Sequence, residues 1–269
     1  MKIYFKESSW STEIPAELKT EFPKLEICQV LPPSFDNGVY VEDRLEPDQI
    51  VAEMKLKNVQ SILQKNQGQF DKDITSICRL VSNRPGYFRD DFKVCTEPVL
   101  RSHRIPFREA SDKSRLKRES LDFVSQITGP GLNESADAVI EELYMNAMID
   151  APREAQRKGQ TSPQAPAELF LCETKRSLQI SCTDPYGSLE VQKFLSRMQD
   201  VYNRGAGAAI NMQSGTGAGL GCIILFEHSG SLILGVRPGC QTKVTCMISL
   251  GMSNRQRALM KKSLHWFEI

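Results

Sequence analysis

Glu142, Asn146 and Asp150 fall at intervals of four within the stretch Val139–Ala151. Read as a helix, that spacing puts all three on one face, beside an apolar stripe of Val139, Leu143 and Ala147. A polar line on a largely apolar helix is costly to bury without partners, so it is either a solvated stripe or one wall of a site. A second group is Cys182-Thr183-Asp184-Pro185-Tyr186-Gly187-Ser188-Leu189. An aspartate directly after an apolar β run puts a carboxylate at the edge of a sheet. There it can accept a hydrogen bond from an exocyclic amino group such as that of adenine; an ordinary Asp-Pro turn is the alternative. The third group is Gly215-Thr216-Gly217-Ala218-Gly219-Leu220-Gly221. Alternating glycines let backbone amides approach phosphate oxygens closely, and a helix after them adds free amide donors and a favourable dipole. The string lacks the Lys-Ser/Thr ending of a P-loop, and no β run precedes it as a dinucleotide-binding fingerprint requires. By itself it also reads as a flexible loop.

These residues need elements to place them. Asp112–Ile127 reads as a helix with Leu116, Leu121 and Val124 on its apolar side, ended by the Gly129-Pro130-Gly131 turn. A second helix, capped by Asn133 or Ser135, carries the Glu142 line through Ala151 and is expected to be stopped there by Pro152. A polar loop leads from Arg157 to Ala167, followed by β runs at Glu168–Cys172 and Ser177–Thr183 joined at Lys175-Arg176. A helix-like stretch covers Leu189–Tyr202, a glycine-rich segment runs from Gly205 to Gly221, and a further helix covers Leu220–His228. A hairpin of Ser231–Val236 and Lys243–Ser249 turns at Arg237-Pro238-Gly239, and a basic helix is expected to close the chain. Earlier, a strand at Lys2–Lys6, an apolar run at Leu25–Leu31, an amphipathic helix over Asp48–Asn66, and runs at Ile74–Val81 and Phe92–Val94 suggest a small α/β domain. No catalytic constellation falls there. The expected division is 1–106 and 107–269. The second part reads as an α+β fold, a two-layer α/β sandwich with helices on one face of a mixed sheet of about four strands.

A chain of 269 residues suits two domains. Its 34 Lys and Arg against 33 Asp and Glu give a net charge of +1, which lends no electrostatic support to nucleic-acid binding. No apolar run reaches the roughly 18–20 residues of a membrane helix, and MKIYFKESSW has no signal-peptide core. The expected setting is the cytoplasm, without a membrane. The eight cysteines form no CxxC pair and read as small apolar side chains in a reducing compartment.

Taken together and in this order, the three groups resemble the GHKL superfamily over Phe107–Ile269, the ATP-binding fold of gyrase B, heat-shock chaperone, sensor-kinase and MutL ATPases, also called the Bergerat fold. Glu142-Leu-Tyr-Met-Asn146-Ala is similar to the family's N box, ExxxNA; Asp184-Pro-Tyr-Gly187 to its G1 box; Gly215–Gly221 to its G2 box, GxGxGLG. Gly239-Cys-Gln-Thr242 is similar to its late Gly/Thr motif. The resemblance implies ATP and Mg²⁺ as ligands. It implies that Asn146 holds the metal, Glu142 activates or orients the attacking water or hydroxyl, and Asp184 binds the adenine amino group with Thr242 nearby. Gly187 would allow close approach to the base, Gly215, Thr216, Gly217, Gly219 and Leu220 would line the phosphates, and residues 189–214 would form a mobile lid. Two departures stand out: Gly187 is three residues after Asp184 rather than two, with Leu189 in place of a later glycine, and Asp150 stands where many anti-sigma and sensor kinases carry histidine or another residue. Of the three histidines only His103 precedes the N box, in RSHRIPF, which does not match a phosphoacceptor box. Within the superfamily the match is nearest to sensor-kinase catalytic domains and anti-sigma-type serine kinases. That implies a bacterial signalling protein, a kinase or ATPase acting on a separate partner protein; a nucleotide-gated protein-binding module without catalysis is the alternative.

Overall fold

A computed structural model describes residues 1–6, 14–29, 38–42, 44–57, 59–65, 70–89, 94, 97–129, 131–160, 163, 165–204 and 220–269. Among these, ten strands join in one mixed sheet, where the sequence suggests about four in its second part. Its C-terminal portion runs β10 (Ser263–Glu268), β8 (Ser231–Arg237), β9 (Gln241–Ser249), β7 (Ser177–Asp184), β6 (Ala167–Thr174) and β5 (Val99–Phe107). All pairs from β8 to β5 are antiparallel, and β10 lies parallel to β8. The β6–β7 turn closes because Thr174 Oγ1 accepts the backbone N–H groups of Arg176 and Ser177, at 3.3 and 3.0 Å. Residue 107, expected to open the second part, ends β5, and the whole of β5 pairs with β6.

Strand alternation decides which face is covered. Leu178, Ile180 and Cys182 of β7 and Cys246 and Ile248 of β9 face one core. Helices α5 (Asp112–Ser125), α6 (Leu132–Met145), α8 (Val191–Arg204) and α9 (Leu220–His228) supply its other half through Leu116, Val139, Leu143, Phe194, Leu195 and Leu225. This is the expected α+β sandwich. The alternate residues Gln179, Ser181 and Thr245 are polar yet buried. They satisfy one another and the Tyr87 hydroxyl, which lies 2.6 Å from Thr245 Oγ1. A polar face can be covered only when each group finds a partner.

The N-terminal strands β1 (Lys2–Phe5), β2 (Glu26–Cys28), β3 (Gly38–Val41) and β4 (Ser61–Leu63) are parallel, in the order β2-β1-β3-β4. Helix α2 (Pro47–Lys57) packs on the same side as α8, whereas α1 (Ala16–Glu21) and α3 (Phe70–Ser82) pack on the other, with Leu18, Ile74 and Ile77. The amphipathic period read over Asp48–Asn66 thus covers a shorter helix and a strand. Ile62 and Leu63 pair with β3 and Ile62 with β10, and those ladder bonds outweigh the helical pattern. Phe92 and the tip of the Leu25–Leu31 run lie outside the described residues.

The chain ends in a strand rather than a basic helix. After a short helix, Asn254–Ala258, β10 inserts between β8 and β4 and ties the two parts of the sheet together. Trp266 is buried there, and its Nε1 donates to Val59 O at 3.0 Å. Two further expectations about α6 change. Its N-cap is Gly131 at φ +66°, not Asn133 or Ser135, with the Asn254 side chain lying against the site of a missing Cβ. Nor does Pro152 stop the helix. At Asn146–Asp150 the backbone opens into one π-helical turn, with Ala151 N–H donating to Asn146 O. Pro152 then sits in the first turn of a new segment, α7 (Ala151–Arg157), where its absent N–H costs nothing.

Trp266→Ala removes a packed ring and an indole hydrogen bond at the junction. It is expected to cost about 3–5 kcal/mol in denaturant unfolding; a loss below about 1 kcal/mol contradicts the role given to β10.

Candidate functional site

The Glu142 line and the end of β7 face each other across a cleft with about 770 Å³ of empty space, counted out to its open mouth. Asn146, Asp150, Ala151, Arg153 and Glu154 line the helical wall, Asp184, Thr242 and Val244 the sheet wall, and Lys193, Phe194, Arg197 and Cys222 the remainder. The turn after β7 is held to α7: Ser188 Oγ donates to Ala151 O at 2.9 Å, and Lys158 Nζ donates to Ser188 O at 2.9 Å.

Asp184 ends β7 and faces Thr242 across the β7–β9 ladder. It is 8% exposed. Burial pushes its carboxyl up to about 6, against the pull of backbone N–H groups from Tyr186 and Gly187 and of Thr242; the Tyr186 N–H lies 2.9 Å from Oδ1. Thr242 is 2% exposed, and its Oγ1 has no hydrogen-bond partner of normal geometry. A buried carboxyl beside a buried, unpartnered hydroxyl is costly by itself and suited to a ligand that both donates and accepts. Gly187 has φ +59°, and a Cβ there would collide with Arg237 O and lie 2.6 Å from Cys240 N. The close approach its glycine permits is to the β8–β9 turn, with Gly239 N–H donating to Gly187 O at 3.1 Å.

On the helix, Glu142 lies behind Asn146, against Gly221 at the start of α9; any Cβ on Gly221 would overlap its carboxylate. Burial, then the charge of Asp150, pushes Glu142 up to about 7, and a hydrogen bond from Asn146 opposes that. Asp150 is also raised by burial, with Arg153 and Arg197 pulling the other way. The half-buried Cys222 thiol, next to these carboxylates, is pushed up to about 12 by desolvation and then by the Glu142 charge, and stays protonated at neutral pH.

Of the residues expected to form one site, Asn146, Asp150, Asp184 and Thr242 line one cleft, Glu142 lies behind Asn146 against Gly221, and Leu220 is at the first turn of α9. Gly215, Thr216, Gly217 and Gly219 lie outside the described residues. The lid expected over 189–214 is corrected over its first half. Val191–Arg204 is a core helix with Val191, Phe194, Leu195, Met198 and Val201 buried, held to α2 by Lys55 Nζ on Gln199 Oε1 at 2.8 Å. Lys193 and Arg197, one helical turn apart, and Arg153 line the cleft without having been singled out; their spacing in a charged helix resembles a solvated face. His103 lies in β5, stacked on Phe123 and 3.5 Å from a Glu119 carboxylate oxygen, away from the cleft. Of the cysteines, Cys78, Cys172, Cys182 and Cys246 are buried, as small apolar side chains should be, while Cys240 is exposed. No helix among the described residues is long and apolar enough to cross a membrane.

The donor set fits the ligands that the resemblance implies. The orphaned Thr242 hydroxyl and the Asp184 carboxyl suit a base edge, the cationic side chains suit phosphates, and Asn146 and Asp150 offer oxygens to a hard cation.

Asp184 carries a folded-state value raised from the ordinary 3.8 to about 6. Its contribution to stability is therefore full below the unfolded carboxylate range and is lost as pH rises through about 6. Measured against Asp184→Asn, the protein should lose on the order of 1–3 kcal/mol of relative stability between pH 4.5 and 7.5; a pH-independent difference in thermal melts contradicts this. Gly221→Ala should displace the Glu142 carboxylate with little loss of stability, whereas Gly187→Ala should cost more than about 2 kcal/mol because backbone atoms are in the way. Equal melting temperatures for the two variants would overturn that contrast.

No protein-family profile and no curated protein matches the chain. Among solved structures, the chain resembles one from the SiaB–SiaC complex of Pseudomonas aeruginosa, at 16% identity and a TM-score of 0.39. That match covers 64% of this chain and 98% of that one. A likeness this distant supports no inference about activity or partner.

Proposed function

We propose that the cleft binds ATP with Mg²⁺ in the manner of the GHKL superfamily, and that the protein is a cytoplasmic ATP-dependent kinase or ATPase acting on a separate partner protein in bacterial signalling. One observation carries the reading: the buried Asp184 carboxyl and the unpartnered Thr242 hydroxyl stand side by side on the sheet wall, across from Asn146, Asp150 and Arg197. An adenine edge presents an amino donor next to a ring-nitrogen acceptor, matching that pair. Arg197, Lys193 and Arg153 would meet phosphate oxygens. Asn146 would hold Mg²⁺, which supplies charge neutralisation at the phosphates. Glu142, its carboxyl pushed up to about 7, lies behind Asn146 against Gly221 and would act as the base toward an attacking hydroxyl once its side chain turns from Gly221 into the cleft.

Glu142→Gln tests the catalytic part. Phosphate transfer from radiolabelled ATP to a protein in bacterial extract, or ATP hydrolysis, should fall by about 100-fold or more, the usual weight of a general base. ATP affinity should stay within a few-fold. No labelled protein and no ATP turnover by the unmodified chain contradict the kinase or ATPase reading. Signalling output that survives Glu142→Gln intact assigns the protein instead to nucleotide-gated binding without chemistry.

A further inference from the structure

Between Asn146 and Asp150 the helix takes one π turn, i to i+5 rather than i to i+4. In an uninterrupted α-helix, groups four apart drift steadily around the axis, so the third member of the Glu142–Asn146–Asp150 line would lie farthest from the first. The wider turn counters that drift, and Asn146 and Asp150 both line the cleft. Glu142 does not line it; its carboxylate is held behind them against Gly221. Of the two carboxylates in that line, the one that lines the cleft together with Asn146 is thus Asp150, one helical turn on; Glu154 and Asp184 line it as well. Hard divalent cations of the Mg²⁺ type usually take one or two carboxylates from the protein and the rest of their oxygens from phosphates and water. A neutral amide alone is a weak anchor by that standard. Arg153 and Arg197 are close enough to act on the Asp150 charge, and both line the same cleft. Were they to turn toward phosphate oxygens, the Asp150 carboxylate would lose its counter-charges and gain most from a cation.

Resting on the reading of the cleft as an ATP site, we propose that Asp150 is a second, anionic protein ligand of the divalent cation, beside Asn146. The π turn and Pro152 hold it in that place. The consequence is that this chain takes up a divalent cation before nucleotide, which the Asn146 amide alone would not achieve.

Mn²⁺ serves as the probe, in the intact chain without nucleotide, with the free ion followed by electron paramagnetic resonance. The unmodified chain should bind it, Asp150→Asn should bind at least about tenfold more weakly, and Asp150→Glu should retain part of the affinity, with circular dichroism confirming that both variants are folded. Calorimetry gives the second arm: Asp150→Asn should bind metal-free ATP in EDTA as well as the parent or better, and should lose most of the gain that Mg²⁺ confers. Unchanged Mn²⁺ affinity in Asp150→Asn overturns the assignment. So does an equal loss of ATP affinity with and without metal, which makes Asp150 a support for Arg197 instead. If the unmodified chain binds Mn²⁺ through Asp150 but no ATP in either condition, the metal assignment stands and the nucleotide reading falls.

Discussion

A carboxyl group and a hydroxyl are buried together where β7 meets β9, and most of what surrounds them exists to keep them there. Leaving such groups without full hydrogen bonding costs about 1–3 kcal/mol each. At Asp184 and Thr242 the backbone fixes where both groups sit. Asp184 is pinned by the backbone N–H of Tyr186, and Thr242 by the ladder on both sides. The turn between Asp184 and Ser188 is clamped to α7 by the Ser188 and Lys158 bonds and to the β8–β9 turn through Gly187. The sheet wall of the site is thus held on both sides of its turn, and its buried polar pair would suit a ligand that supplies the missing hydrogen bonds.

The opposite wall follows the same logic through a different device. Helix α6 and the π turn after it bury Val139, Leu143 and Ala147 in the core, and so turn Asn146 and Asp150 toward the cleft. Pairs of Lys113 with Glu141 and Lys117 with Asp137 link α5 to α6 on the solvent side; being exposed, they orient more than they stabilise. Helix α8 then serves two neighbours. Lys193, Phe194 and Arg197 face the cleft, while Gln199 meets Lys55 of α2, so the N-terminal part of the chain is in contact with the element that frames the site.

Local, strongly periodic elements were legible in the sequence. The α6 line, the β6–β7 hairpin, the Leu220–His228 helix and the β8–β9 hairpin all lie where alternation and helical spacing put them. What escaped was non-local. Ser263–Glu268 is buried because β4 and β8 flank it, and nothing in six residues announces two partners so far apart in sequence. Of the N-terminal strands, β1 was legible at Lys2–Lys6, but Ser61–Leu63 is too short to outvote the helical spacing before it and reads as the end of a helix. The π turn escaped because proline is a helix breaker in the general case, and only the added backbone residue spares Pro152 its clash. Within the cleft, the acidic and amide residues were visible as a pattern that costs energy to bury. Arg153, Lys193 and Arg197 were not, since long cationic side chains on a helix ordinarily face water.

The central claim is that Asp184 and Thr242 read a purine edge carrying an amino donor. Calorimetric titration of the protein with ATP and with inosine triphosphate, both with Mg²⁺, tests it most directly, because the two differ at the base by an amino group replaced with a carbonyl. The account predicts measurable ATP binding and inosine triphosphate binding weaker by about tenfold to a hundredfold, the worth of a hydrogen bond to a charged group. Equal affinity for the two nucleotides, or none for ATP, would contradict it.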